Sequence, residues 1–378
     1  MPDFDRPEAQ STIAEGAESA PSQNGVVSIR YNFGPGSNRY CTGAMVAPNI
    51  VATALSCIAE FSKEPYFCRA DGTTIGEPEA GAIDGLLDLS RLQVRVGFEF
   101  AFDQAPDATA LQVVAPDADR LCGNDVAFVL LDAELSVNVL PMRIDGPPIL
   151  GESFTAIGYG STNPDPLNTN FTVERHYRSG LTVDEVMPPE PDPESTKEGL
   201  APRTFGAPPI LCGGDSGGPA LSEHGAVIGL ATANIGQTGL LCGAERSVYT
   251  QVAPFKDLVE EVFALTPYRI WREGEPAPLS VPAGGGCLRD DNCVGQRCDQ
   301  RGPDAEEGIC AATCDLDGDC DEGFECVFDD GANSGYCELS PPSSGLVSDG
   351  CSLADRAPGR SRPSAWGLLG LALLRRRR

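Results

Sequence analysis

Histidine is nearly absent from this chain. Its 378 residues hold two, His176 and His224, and none occurs before residue 176. Any chemistry that needs an imidazole as general base has to draw on one of these two positions. Positive charge is scarce as well. Lys and Arg number 27 against 55 Asp and Glu, a formal net charge of −28, and only three of the 27 are Lys. That balance argues against nucleic acid and anionic membrane surfaces as partners of the globular part, and its plainest role is solubility. The preference for Arg over Lys reads as genomic bias. Long apolar stretches of helical period are few. In their place stand short runs, Val26-Val27-Ser28-Ile29, Leu92-Val94-Val96, Val126–Leu131 and Val227–Ala231, set among 43 Gly and 32 Pro. Short alternating or continuously apolar runs bounded by turn residues are the mark of a mostly β chain. No apolar stretch follows Met1-Pro2-Asp3-Phe4-Asp5-Arg6, so no signal peptide is visible.

Cysteine, by contrast, is plentiful. Fifteen cysteines point to an oxidising compartment. This disulfide chemistry outweighs the missing signal peptide, so export is expected and the true start lies elsewhere. Six cysteines fall before residue 243. Eight more crowd residues 287 to 338, and Cys351 is left over.

The densest motif is Cys212-Gly213-Gly214-Asp215-Ser216-Gly217-Gly218-Pro219. Such a run around an active serine resembles the trypsin/chymotrypsin family of serine peptidases. Further segments carry the resemblance in the same order. Cys41-Thr42-Gly43-Ala44-Met45-Val46-Ala47-Pro48-Asn49 resembles the family's strand and turn before the base. Thr53-Ala54-Leu55-Ser56-Cys57 matches its Thr-Ala-Ala-His-Cys signature. Asn124-Asp125-Val126-Ala127 resembles the segment bearing the triad aspartate, and Gly158-Tyr159-Gly160 its Gly-Trp-Gly. Val248-Tyr249-Thr250-Gln251-Val252 resembles its Val-Tyr-Thr-x-Val, ahead of a final helix near 254–265. The match covers roughly residues 13 to 270.

The resemblance implies an all-β fold of two packed, six-stranded antiparallel barrels with the site in the cleft between them. It implies Ser216 as nucleophile, Asp125 as the acid that orients the base, and the N–H groups of Gly214 and Ser216 as an oxyanion hole, a device worth about 10²–10³ in rate. Asp215 would take a salt bridge from a freed N-terminus, for which Ile13-Ala14-Glu15-Gly16 is the candidate. Thr12 precedes it, so cleavage after Lys or Arg is not expected there. Ile210, six residues before Ser216, would floor the primary specificity pocket, with Thr232 and Ser247 beside it. An apolar floor disfavours Arg and Lys side chains. Cys41–Cys57 and Cys212–Cys242 resemble two family disulfides. Cys68 and Cys122 remain, and they are expected to pair.

One position departs from the pattern. Where the signature has its histidine, this chain has Ser56, and Cys57 holds the frame. A serine hydroxyl is almost fully protonated at neutral pH and must hand its proton to a base as it attacks. Ser56 cannot accept that proton. Loss of the base in a comparable triad lowers turnover on the order of 10⁶. His176 aligns with a strand of the second barrel and His224 with the hairpin after the nucleophile strand, both expected at the surface. Two function classes stand at this point. One is a non-catalytic peptidase homologue that acts as a binding or regulatory module on a polypeptide ligand. The other is a serine endopeptidase of weak or unconventional activity. Neither calls for a cofactor. The identity of the ligand and the oligomeric state are open.

The chain divides by composition into an N-terminal extension (1–12), the peptidase-like region (13–270), a Pro/Gly/Ala/Glu-rich linker (271–286), a cysteine-rich segment (287–338), a Ser/Pro/Gly/Arg-rich linker (339–364) and a tail (365–378). In the cysteine-rich segment, gaps of five, four and eleven residues separate Cys287, Cys293, Cys298 and Cys310. Gaps of five, five and ten separate Cys314, Cys320, Cys326 and Cys337. This is a tandem repeat of about 26 residues, each unit too small to build a core without disulfides. Four bridges are expected, with the connectivity open. Asp315, Asp317, Asp319 and Asp321 offer hard oxygen ligands, but they lack the EF-hand spacing, and no metal is expected. In the tail, ten apolar-rich residues, 365–374, precede four arginines. With Gly350-Cys351-Ser352 upstream, this resembles the myxobacterial C-terminal sorting tag (MYXO-CTERM). The resemblance implies processing at Cys351 and membrane association. Arginines are costly to move across a bilayer, although the apolar stretch falls short of the roughly 20 residues a span needs.

Overall fold

The run Val126–Leu131 is apolar without alternation because the fold buries both of its faces. Ala127, Val129 and Leu131 point into one apolar cluster, and Val126, Phe128 and Leu130 into another. Successive side chains of a strand point to opposite sides, so a strand between two cores reads as continuously apolar. The same split divides Val26 from Val27, and Met45 from Ala44 and Val46.

These assignments come from a computed structural model. It describes residues 13–14, 16–34, 37–62, 66–77, 79–100, 105–160, 173–195, 197–235, 242 and 245–278, and within the cysteine-rich segment 286–287, 292–293, 297–299, 308–311, 313–314, 324–327 and 335–339. The chain divides into two compact units, Met1–Ala312 and Thr313–Arg378.

Six strands of the first unit are β1 (Val26–Gly34), β2 (Ser37–Ala47), β3 (Ile50–Thr53), β4 (Leu92–Arg95), β5 (Ala108–Val114) and β6 (Ala127–Leu131). They close into an antiparallel barrel in the order β5-β6-β3-β2-β1-β4. Its core holds Val27, Ile29, Met45, Val51, Val94 and Val129. Six more strands follow: β7 (Ser153–Gly158), β8 (His176–Thr182), β9 (Thr204–Ala207), β10 (Pro219–Ser222), β11 (Val227–Ile235) and β12 (Arg246–Gln251). They form one sheet in the order β8-β7-β10-β11-β12-β9, extended by the short strands Ala17–Glu18 and Glu185–Val186 at its two ends. Phe154, Leu181, Phe205, Ala220, Ile228 and Tyr249 come from all six strands and meet in one cluster, so the sheet curls around a shared core. The architecture is all-β: one closed six-stranded barrel packed against a second, curled eight-stranded sheet.

A third cluster joins the two halves. Val26, Ala44 and Phe128 of the first barrel pack with Ile157, Leu221 and Leu230 of the second. The helix α1 (Lys256–Phe263) seals it with Val259, Val262 and Phe263. The chain then folds back. Met142 donates its N–H to Trp271 O at 2.9 Å and accepts from Glu273 N at 3.1 Å. Arg143 pairs with both Glu152 and Glu273. Residues 271–276, whose composition suggests a linker, are thus pinned to the domain by backbone pairing and by the Arg143 guanidinium.

Residues 59–91 form an insertion between β3 and β4, built on the short pairs 59–61 with 83–86 and 66–68 with 74–76. It is tied to the turn before Asp125 by the Cys68–Cys122 disulfide. It also bonds to the segment leading to β9, through Ala70 N to Lys197 O at 3.1 Å and Gly199 N to Cys68 O at 2.7 Å.

In the cysteine-rich segment, strands at 286–287, 298–299 and 308–310 form one three-stranded sheet, and strands at 313–314, 324–327 and 335–339 form another. In each sheet the last strand lies in the middle. Cys314 pairs with Cys326, and Cys293, Cys298 and Cys337 are also disulfide-bonded. The acidic residues 315 to 321, Cys351 and the tail lie outside the described residues. Among the described residues no helix is long and apolar enough to cross a membrane.

Candidate active site

The ladder between β3 and β6 pairs Thr53 with Ala127. Because the strands run antiparallel, the chain leaving β3 and the chain entering β6 meet at one end. Ser56 and Asp125 face each other there. Ser56 sits in a single 3-10 turn, Leu55–Cys57. It donates N–H to Asp125 Oδ1 at 2.6 Å and its hydroxyl to Oδ2 at 3.0 Å. Thr232 Oγ1 donates to the same Oδ2, and the Leu55 N–H also reaches the carboxylate. Asp125 is buried, and burial raises its pKa against the pull of these four donors. Arg39 holds the turn from outside, donating to Ser56 O at 2.8 Å and Ala59 O at 2.7 Å, with its guanidinium between the rings of Phe33 and Phe61.

Ser216 approaches from the second barrel. Its carbonyl accepts from Thr42 N at 2.8 Å and lies 3.5 Å from the Cys57 sulfur, next to Ser56. The hydroxyl of Thr42 donates to Gly214 O at 2.9 Å and accepts from Tyr159 N at 3.0 Å. Its carbonyl takes the Thr53 hydroxyl at 2.8 Å. Thr42 is fully buried and clasps both halves of the site. Among the described residues, nothing accepts from the N–H groups of Gly214 and Ser216. Asp215 is fully buried; it takes Gly160 N at 2.7 Å, Cys212 N at 2.8 Å and the Ile13 N–H. Burial pushes its pKa up to about 6, and the three N–H donors oppose that rise. Gly158 and Gly160 are required here, since a Cβ on either would fall 2.1–2.5 Å from the Asp215 carboxylate. Gly214 has φ +105°, a conformation open chiefly to glycine.

The trypsin family profile matches residues 13–259, about two thirds of the chain. The chain belongs to the trypsin family. Solved structures with similar folds include human heparin binding protein, at 18% identity over 68% of this chain and 98% of that one, TM-score 0.43. The scabies mite inactivated protease paralogue S-I1 is similar at 17% identity over 66% and 99%, TM-score 0.45. A thermostable serine protease, AL20, from an extremophilic microorganism is similar at 16% identity over 65% and 100%, TM-score 0.44. No curated protein matches. Family membership implies polypeptide substrates, and disulfide-bonded trypsin-like domains are typically secreted or extracellular.

Within this trypsin-family domain the bridges Cys41–Cys57, Cys68–Cys122 and Cys212–Cys242 are formed. Thr232 donates its hydroxyl to Asp125. One sequence expectation changes. His176 is not at the surface. It is buried on β8, in register with Gly158 of β7 and Glu18. Ile210 and Ser247 are fully buried, and Ser247 Oγ accepts from Ile210 N at 2.9 Å and Leu211 N at 3.1 Å. His224 is exposed in the β10–β11 hairpin, as expected. Sequence reasoning passed over Thr42 and Asn234. Thr42 stands inside the quoted Cys41-Thr42-Gly43 motif. Asn234 is two residues from Thr232 on β11, beyond an irregularity in the β11–β12 register between Ala231 and Ala233.

Proposed function

We propose that this protein is an exported, surface-held member of the trypsin family that does not hydrolyse peptides and serves as a binding or regulatory module for polypeptides. The supporting observation is the hydrogen bond from Ser56 Oγ to Asp125 Oδ2, 3.0 Å long. On this reading Ser56 stands where the family has its base, and its hydroxyl takes up the aspartate that would have oriented an imidazole. Serine has no basic nitrogen, so the proton of Ser216 has no acceptor. His176 is buried on β8 and His224 is exposed in a hairpin, and neither is among the groups that hydrogen-bond Asp125.

A fluorophosphonate probe tests this directly, since it needs an activated serine. Wild type is expected to resist labelling to the same degree as Ser216→Ala. Stoichiometric labelling of Ser216 in wild type overturns the reading. It would favour a second one, a serine endopeptidase of unconventional activity, which draws support from the N–H groups of Gly214 and Ser216, left without an acceptor among the described residues and so open to serve as an oxyanion hole.

Residues 287–338, read as a tandem disulfide repeat, supply a second module. Cys351 and the apolar, arginine-capped tail supply the tether. Deleting residues 351–378 is expected to release the protein into the medium. Recovery of both forms in the cytoplasm with free thiols overturns the surface assignment.

A further inference from the structure

The apolar cluster between the two barrels is not covered evenly. Helix α1 seals one part of it with Val259, Val262 and Phe263. Another part, made by Val26, Leu140, Ile157 and Leu221, opens into a cavity of about 340 Å³. Cavities that hold small ligands start at about this size. The cavity lies at the Leu221–Ser222 end of β10, and that strand leads away from Ser216.

Its walls are fixed without a ligand. On one side stands the 3-10 turn Pro21–Gln23. Asn138 pins this turn, donating Nδ2 to Ser22 O at 2.9 Å and its N–H to Asn24 Oδ1 at 2.9 Å. On the other side stands the hairpin 222–225. There the buried Ser222 Oγ accepts from Ala226 N at 3.2 Å and donates to the Glu273 carboxylate, and Gly225 N donates to Ser222 O at 2.9 Å. Thr155 of β7 and Ser179 of β8 meet at the rim, Thr155 Oγ1 donating to Ser179 Oγ at 3.1 Å. A void beside an apolar core forfeits contacts, and larger apolar side chains at these two positions would fill it. This chain has hydroxyls there.

The chemistry of the lining is one-sided. Its floor is aliphatic and it holds no aromatic ring. It carries one carboxylate, the exposed Glu223, and neither Lys nor Arg. Among the described residues the Glu223 carboxylate takes no hydrogen bond and no ion pair. The hydroxyl oxygens of Ser22 and Ser179 line the same cavity. An ammonium has three N–H donors and no acceptor, and a carboxylate with two hydroxyl oxygens matches that need. An aliphatic stem can lie along the floor while its charged end stays at the wet rim. Gln23 Oε1 is spent on Ala20 N at 2.9 Å, which leaves its Nε2 to donate to a carbonyl. The net charge of −28 draws cations toward the molecule.

We propose that this cavity is a docking site for a lysine side chain of a polypeptide partner, separate from the Ser216 site. It rests on the polypeptide-binding reading above for the class of partner, but not on the state of Ser216.

Calorimetric titration of the full-length chain at low ionic strength tests the site with n-hexylamine, n-hexanol and hexanoate. Hexylamine is expected to bind saturably and about fivefold more tightly than hexanol, the yield of an exposed ion pair, and hexanoate not at all. Glu223→Gln should remove that fivefold advantage and leave hexanol unchanged. Ser179→Trp, at an exposed position, should abolish binding of both. Glu261→Gln, exposed on α1 and outside the cavity, should change neither. Absence of saturable hexylamine binding overturns the proposal, and so does hexanoate binding as well as hexylamine. An equal loss in Glu223→Gln and Glu261→Gln overturns it too, since that marks a response to net charge alone. So does binding that survives in a Ser179→Trp protein whose circular dichroism matches wild type. A blocked Gly-Lys-Gly peptide decides the source of the ammonium. It is expected to bind more tightly than hexylamine, because the Gln23 amide can take a backbone carbonyl. Binding no tighter than that of hexylamine would assign the cavity to free amines and overturn the polypeptide. Labelling of wild-type Ser216 by the fluorophosphonate would sink the non-catalytic reading while leaving these titrations as the judge of the cavity.

Discussion

Asp125 and Asp215 are both buried, and neither meets a cation among the described residues, yet the protein satisfies them in different ways. Asp215 receives backbone N–H groups alone, from Gly160, Cys212 and Ile13. Asp125 receives two backbone N–H groups and two hydroxyls, from Ser56 and Thr232. Backbone donors survive most substitutions, because only the path of the chain has to be kept. Side-chain donors can be exchanged for one another. On the reading proposed above, that difference lets a trypsin fold go without an imidazole and still leave no buried carboxylate unsatisfied: the Ser56 hydroxyl fills the donor's role toward Asp125, and only the acceptor's role toward Ser216 is lost.

The largest expected effect restores that acceptor. Ser56→His is predicted to raise hydrolysis of an alanyl ester by at least 10²-fold over wild type, since loss of a base is worth on the order of 10⁶ in turnover. The gain should vanish in Ser56→His combined with Ser216→Ala. A folded Ser56→His protein as inert as wild type would mean that the hydroxyl side of the comparison lacks more than a base.

Asp215 sharpens the other side. Its carboxyl is raised from an ordinary value of 3.8 to about 6 in the fold. Between these pH values the folded state binds more protons than the unfolded state, so stability falls as pH rises and is greatest below the unfolded pKa. A shift of this size corresponds to a loss on the order of 3 kcal/mol between about pH 4 and 7. Asp71, Asp88, Asp132, Asp145 and Glu273 have lowered pKa values and act in the opposite direction. The observable is therefore the difference between wild type and Asp215→Asn in urea denaturation across that range. The difference should shift toward wild type as pH falls. A pH-independent difference would show that Asp215 is not held in a raised state.

Much of this was legible in the sequence, and the gaps have physical reasons. The barrel strands announced themselves by short apolar runs, and Gly158, Gly160 and Gly214 by a motif whose glycines are sterically required. Ser216, Asp125 and Ser56 were named from motifs that fix backbone paths. The bond from Thr232 to Asp125 was not foreseen, because a hydroxyl's direction depends on what lies across the strand, which one chain read alone does not display. Asn234 was missed for the same reason. Of the insertion at 59–91 only the pairing of Cys68 with Cys122 was read, and none of its strands. Its strands are only three or four residues long, and its disulfide and backbone bonds to distant segments hold it in place. Residues 271–276 have the composition of a linker, and their pairing with Met142 leaves no periodic trace.

Thr232→Val keeps the shape of the residue and removes one hydroxyl from Asp125. It should lower stability by about 1–3 kcal/mol, the cost of an unmet hydrogen bond to a buried group. The loss should shrink at low pH, where a protonated Asp125 needs one hydrogen-bond donor fewer. A loss that does not change with pH would argue that the hydroxyl merely packs.

Ser56→Ala is the mildest change and the finest test of the comparison. Ser56 keeps its N–H on Asp125 Oδ1 whatever its side chain, because the 3-10 turn and Arg39 fix the backbone there. Thr232 still serves Oδ2. Ser56 is only partly buried, so water can reach the vacated position. The expected loss is therefore about 0.5–1.5 kcal/mol, the range of an ordinary hydrogen bond and smaller than that of Thr232→Val. Paired thermal melts of the two variants at neutral pH decide the order. If Ser56→Ala proves the more damaging, then the Ser56 hydroxyl is the chief support of Asp125, and it carries more of the fold than its partly buried position suggests.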